Sequence, residues 1–343
     1  MNLENNPLII EKKTYPYLDF FKALGLFCVI LAHVNAPKAI SFIRSFDVPF
    51  LVMISATLAF LNDKNEKYFS YVWKRVKRLL FPTWIYLTFC TFVFVLLKIK
   101  TPIEMLPAFL LQKYQFGFVW IIGLYFVIAL IIPFLRKMLA NWHEWNMIKK
   151  SVFTILLIGV GIIFELICAK TNLYSHKILE YTFFYIIPYG IVSILGIIAI
   201  KVQWKWLFIF SIIFLIFAFI DGIIIYNLYG IWIMPNSYNQ PARFYYLTFS
   251  LSVGFSLYAL FRDKNFNFFE NPIIVFLSRH SLWIYLWHSF TNVIVYKFTK
   301  IWYLSYIMTL TLSCLIVFIQ NSLISCIHSE NKTIKEIIKI FRG

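Results

Sequence analysis

The feature that most constrains this chain is the regular succession of long apolar windows along it. A helix needs ~20 apolar residues to cross a hydrocarbon layer ~30 Å thick. About ten such windows follow one another, at roughly 18–36, 47–62, 79–97, 118–135, 151–168, 181–200, 206–226, 244–261, 273–296 and 303–326. The gaps between them are short, so no soluble domain fits in between. Composition agrees: 61% of the 343 residues are hydrophobic, 20% aromatic and only 14% charged, outside the range of soluble domains. The expected fold class is an all-α polytopic integral membrane protein of about ten transmembrane helices, because a helix satisfies its own backbone in lipid. The expected organisation is one membrane domain over 1–343: an N-terminal segment 1–17, helices within 18–326 and a basic tail 327–343.

Orientation follows from Lys and Arg, which favour cytoplasmic loops. With the N-terminus inside, the inner segments carry Lys12, Lys13, Lys64, Lys67, Lys74, Arg75, Lys77, Arg78, Arg136, Lys137, Lys149 and Lys150. Lys201, Lys205, Arg262, Lys264, Lys332, Lys335, Lys339 and Arg342 complete them, so both termini are expected in the cytoplasm. The formal net charge of +17 is then explained by contact with anionic membrane lipids, and a nucleic-acid partner is not implied. Lys22 interrupts the first window, which argues against a cleaved signal peptide. Cys28, Cys90, Cys168, Cys314 and Cys326 show no paired or metal-like spacing and read as small core residues. No metal site, phosphate loop or internal repeat is expected.

The stretch LDFFKALGLFCVILAHV, Leu18 to Val34, places Asp19, Lys22 and His33 in an otherwise apolar helix. Charged groups in spans are costly and tend to mark a pathway or site. Lys22 and His33 are ~16 Å apart in helix rise and within ~20° of one helix face. Asp19, one turn before Lys22, is placed to pair with it. The alternative is a snorkelling lysine and an interfacial histidine. In YVWKRVKRLLFPTW, Arg75 and Arg78 stand three apart between Lys74 and Lys77. Two guanidinium forks suit phosphate, although the same cluster also serves topology. In LSRHSLWIYLWH, Ser281, Tyr285 and His288 fall on one helix stripe that should face the interior, as a polar seam or as part of a site.

Taken together, Lys22-x10-His33, Arg75-x-x-Arg78 and the Ser-Leu-x-Ile-Tyr-Leu-x-His run ending at His288 resemble the acyltransferase family 3 membrane O-acyltransferases, in the stand-alone form. Two departures stand out: the family's first-helix cation is more often Arg than Lys, and its Ser-Gly-aromatic element is Ser55-Ala56-Thr57 here. The resemblance implies a multi-pass enzyme of the bacterial cytoplasmic membrane. Such an enzyme moves an acyl group, usually acetyl from acetyl-CoA, to a hydroxyl of a surface polysaccharide or its lipid-linked precursor. It implies Arg75 and Arg78 as contacts for the acyl-CoA phosphates and a catalytic set of His33, as general base or transient acyl carrier, with Lys22 extending the positive funnel and Asp19 paired to Lys22. His288, Tyr285, Ser281 and Asp221 are expected in substrate or supporting roles. Asp47, Glu165 and Asp221 are candidates to orient His33, with Asp221 favoured because it interrupts FAFIDGIIIY, and the aromatic loop NSYNQPARFYY suits either a sugar or the membrane interface. A saccharide exporter or proton-coupled permease is the competing class, with His33, Asp221 and Lys22 as a relay.

Overall fold

The computed structural model describes residues 15–62, 66–98, 101–111, 118–170, 183–327 and 331–342. Lys12, Lys13 and Lys64, counted above among the inner charges, lie outside them, as do residues 181–182 of the sixth window. Among the described residues the chain is helical, with no strand and one isolated bridge, Asn239 to Ala242. The first half comprises α1 (Pro16–Leu31), α2 (Lys38–Ile43), α3 (Asp47–Leu61), α4 (Tyr68–Arg75), α5 (Phe81–Leu96), α6 (Pro102–Phe109), α7 (Trp120–Leu139) and α8 (Met147–Lys170). The second comprises α9 (Tyr185–Ala199), α10 (Trp204–Tyr229), α11 (Phe244–Phe261), α12 (Pro272–Arg279), α13 (Ser281–Val295), α14 (Trp302–Ser325) and α15 (Lys332–Arg342).

Seven helices among the described residues are long and apolar enough to cross a membrane, fewer than the ten expected from the windows. The other three windows form shorter helices for local reasons. α1 stops at Leu31 and turns through Asn35, whose φ of 53° is left-handed and ends the helix. Window 273–296 is split at His280, which closes α12 and opens α13 with φ −102° and ψ 14°. α9 is described from Tyr185 and spans 15 residues.

The core is centred on α3, which packs against α1, α7, α9 and α11. Small residues permit the closest approach, as in membrane bundles generally. A Cβ on Gly196 of α9 would stand 2.8 Å from the Met53 carbonyl oxygen of α3 and 2.6 Å from Met53 Cγ. Backbone cannot step aside as a side-chain tip can. Gly196→Ala is therefore expected to cost about 1–3 kcal/mol through overpacking, despite the better helix propensity of Ala. A lowered thermal midpoint in detergent checks this, and an unchanged or raised midpoint would contradict the close packing of α9 on α3. Hydroxyls add interhelical bonds: Ser211 of α10 donates to Ser252 O of α11 at 2.9 Å and meets Ser256 Oγ at 2.5 Å. Thr291 and Ser313 meet at 2.8 Å, and Tyr86 and Ser289 at 2.6 Å.

The strongly amphipathic α15 docks on the end of the bundle where α12 meets α13. Its orphan last-turn carbonyls find donors: Trp283 Nε1 reaches Ile340 O at 3.1 Å and Gln320 Nε2 reaches Phe341 O at 2.8 Å. The Trp283 and Phe341 rings stack at 5.7 Å, and Lys77 Nζ donates to Glu336 at 2.5 Å. Lys339 and Lys77 together hold the Glu336 carboxyl down at about 2. The folded value is depressed, so this contribution is present above the ordinary carboxylate range and is lost only as pH falls through about 2. Only the Lys77 contact is tertiary. Amide-exchange protection of α15 is thus expected to change little between pH 8 and pH 5, and to fall in Glu336→Gln across that whole range. Equal protection in the variant would show that the aromatic contacts alone hold α15.

Candidate functional site

Three groups of polar residues have to be placed within this bundle. The first lies at the C-terminal end of α1. The His33 ring stacks on Phe118 at a centroid distance of 3.6 Å and on His288 at 5.2 Å, with planes 19° and 23° apart. Asn292, one turn after His288 on α13, donates to the His33 carbonyl at 2.9 Å and fixes the post-helical turn. Phe118 is held in turn by the Tyr285 hydroxyl, which donates to its carbonyl at 2.6 Å. Tyr285 and His288 lie three apart on α13, so both join His33 and Phe118 in one cluster of packed rings.

The two imidazoles differ in how they are held. His288 is fully buried, and its Nδ1 meets the Tyr285 carbonyl. A carbonyl only accepts, so the proton of neutral His288 sits on Nδ1 and Nε2 presents a bare lone pair. The Nε2 atoms of both His33 and His288 are buried without a hydrogen-bond partner in the protein. Buried polar atoms are normally paired, and an exception calls for an explanation such as a catalytic role or a bound group.

An ion pair flanks this cluster. Arg44 donates to Asp47 at 2.9 Å, and their side chains are only 11% and 4% exposed. Asp47 also accepts from the Val48 amide at 2.8 Å. The Arg44 charge bears on His33, and the Asp47 charge bears on Tyr125, Tyr189, Tyr246 and Tyr285. Asp47 is thus the carboxylate paired with the arginine whose charge reaches His33. Asp221 lies on α10 in a separate cavity with Glu165 and Arg243. The sequence favoured Asp221 because it breaks an apolar run. Arg44 went unnoticed, although RSFD places it one turn before Asp47.

The second group lies on the other half of α1. Lys22 Nζ donates to the Ser278 carbonyl at 2.7 Å, and Ser278 Oγ donates to Asp19. Ser278, unnoticed in the sequence, therefore ties both charged residues to the end of α12. His280 follows it and meets the Arg342 carbonyl of α15 at 2.9 Å. Ser281 opens α13 here, ~10 Å of helix rise from His288, and is not part of the histidine cluster.

Arg75 and Arg78 form the third group. Arg78 lies in the π-helical segment Val76–Leu80 that joins α4 to α5. The cause is local: Pro82 has no N–H to give the Arg78 carbonyl and widens the turn before it. Arg78 is exposed, and the Arg75 guanidinium lies over the Tyr71 ring at 4.8 Å. Lys77, between them, holds Glu336 of α15, so that helix links the arginine segment to the Lys22 end of α1. Among the described residues no three His, Cys, Asp or Glu side chains come together as a metal site.

No match was found among curated proteins or among solved structures. A family model described as an acyltransferase domain matches residues 15–325, a stretch that contains the histidine cluster, the Lys22 group and the arginine pair. With that match spanning nearly the whole of a helical membrane chain, the protein belongs to acyltransferase family 3.

Proposed function

We propose that this membrane acyltransferase takes an acetyl group from acetyl-CoA at the face bearing Arg75 and Arg78. It passes that group to a saccharide hydroxyl at the cluster of His33 and His288 at the opposite face. The observation that carries the reading is the stacked imidazole pair, 5.2 Å apart, with both Nε2 atoms buried and unpartnered. A bare Nε2 accepts the hydroxyl proton as the sugar oxygen attacks the thioester carbonyl. The new C–O bond forms, the C–S bond breaks, and the thiolate leaves as CoA and takes up a proton. In this scheme His33 is the base, and His288, whose proton is fixed on Nδ1, offers the transferred proton a second acceptor. Arg44 beside the cluster stabilises the negative charge that develops on the carbonyl oxygen.

The positive groups at the other face suit the donor. Two arginines match the phosphates of CoA. Lys22 and Asp19, fixed through Ser278, line the route between that face and His33, which the pantetheine arm must span. The setting that fits best is the cytoplasmic membrane of a bacterium, with both termini inside and about ten crossings once the three shorter helices are included. The test is transfer of labelled acetyl from acetyl-CoA into base-labile esters of membrane or surface glycans. Label that appears only when the chain is present supports the reading, and an altered amount of unmodified glycan without new esters supports export instead.

A further inference from the structure

A cavity of about 140 Å³ lies between α4 and the end of α7. Glu66, Tyr68 and Tyr71 line it from the α4 side, and Phe134, Arg136 and Lys137 from α7. Tyr71 is 5% exposed, and its hydroxyl is buried with no hydrogen-bond partner among the described residues. The Tyr71 ring already carries the Arg75 guanidinium at 4.8 Å, which leaves the hydroxyl for a ligand. A phenol both donates and accepts, so its burial here calls for a polar group in the cavity.

Charges of both signs stand around that hydroxyl. Glu66 is largely buried and accepts from Lys74 and, at 3.5 Å, from Ser70, both on Oε2, so Oε1 remains as an acceptor. Arg136 is anchored by donating to the Ala59 carbonyl of α3, and Lys137 beside it is exposed. One cation is thus fixed in place and a second is free to reach. Phe134 is 61% exposed and packs against the Tyr68 ring at 5.5 Å, and Phe69, 5.8 Å from the same ring, is 83% exposed. Apolar rings facing lipid directly beside charge mark the depth of the phospholipid headgroups.

We infer that this cavity binds the headgroup of a phospholipid that carries a primary ammonium, with its phosphate on Arg136 and Lys137 and its ammonium on Glu66 and Tyr71. A guanidinium suits the phosphate. The ammonium has three N–H donors, which match the Glu66 carboxylate and the Tyr71 hydroxyl. A purely anionic headgroup would meet the cations but bring no positive charge to Glu66, and a choline headgroup has no N–H to give. The lipid chains then run past Phe134 and Phe69, outside the cavity. This site does not depend on the acyl-transfer reading.

Nanodiscs containing equal amounts of phosphatidylethanolamine, phosphatidylglycerol and phosphatidylcholine with the same chains provide the test, with native mass spectrometry counting the lipids retained on the released protein. The full chain is expected to retain phosphatidylethanolamine roughly fivefold over each of the others, the scale of a charge-assisted hydrogen bond at a partly open site. Glu66→Gln and Tyr71→Phe are each expected to bring that ratio at least about twofold closer to one. Ile155→Ala, on an exposed part of α8 outside the cavity, is expected to leave it unchanged. If Glu66→Gln fails to fold, Tyr71→Phe, which keeps the ring under Arg75, decides alone. Equal retention of the three lipids, excess retention of phosphatidylglycerol, an undiminished preference in every cavity variant that folds, or an equal loss in Ile155→Ala overturns the inference. Retention is measured without acetyl-CoA, so a failure here is distinct from a failure of acyl transfer.

Discussion

His33→Ala protein is expected to fold, to bind acetyl-CoA almost as the unaltered chain does, and to lose acyl transfer by roughly 100-fold to 10,000-fold, the usual value of a positioned base. The loss should fall on the chemical step, because the ring stacks on Phe118 and His288 at the far end of α1 from Lys22. Asn292 bonds the His33 backbone, not its ring, so the turn that positions residue 33 survives the substitution. His33→Gln should not restore activity, since an amide hydrogen-bonds but takes no proton near neutral pH. His288→Ala should cost less than His33→Ala if His288 is the second acceptor. It should cost as much or more if the roles of the two rings are exchanged. Single-turnover measurements with saturating acetyl-CoA separate these outcomes from altered binding.

Loss of either arginine should act at the other end of the reaction. Arg75→Ala and Arg78→Ala are each expected to weaken acetyl-CoA binding by about 10-fold to 100-fold, the range for a charge-assisted hydrogen bond to phosphate. Lysine should rescue poorly because it lacks the planar fork. Equilibrium dialysis with labelled acetyl-CoA checks this in the purified protein. Unchanged affinity in both alanine variants would leave the pair as charges that fix topology.

The helices themselves were legible in the sequence, because windows such as 206–226 and 303–326 are long and predominantly apolar, and a helix satisfies the backbone of such a segment in lipid. Their ends were not. The break at His280 and the turn at Asn35 are single-residue backbone events with no hydrophobic signature. Within the site, the i to i+3 spacing of Tyr285 and His288 was enough to place them on one face. Their meeting with His33 is a contact between the first helix and one near the end of the chain, which periodicity along one helix does not encode. Polar partners that look ordinary in sequence were missed for the same reason. Ser278 and Asn292 each lie more than 250 residues from the group they hold. Asp221 lies with Glu165 and Arg243, neighbours that a charge in an apolar run does not identify.

The central claim is that a group from acetyl-CoA, bound where the arginines lie, is transferred at the paired histidines. Membrane vesicles from a host expressing the chain, sealed with the arginine face outward and supplied with acetyl-labelled acetyl-CoA, measure this most directly. The account predicts base-labile label in the saccharide fraction of vesicles with the unaltered chain, and a loss of at least about 100-fold with His33→Ala at equal protein level. Label that accumulates at the same rate with His33→Ala would contradict it.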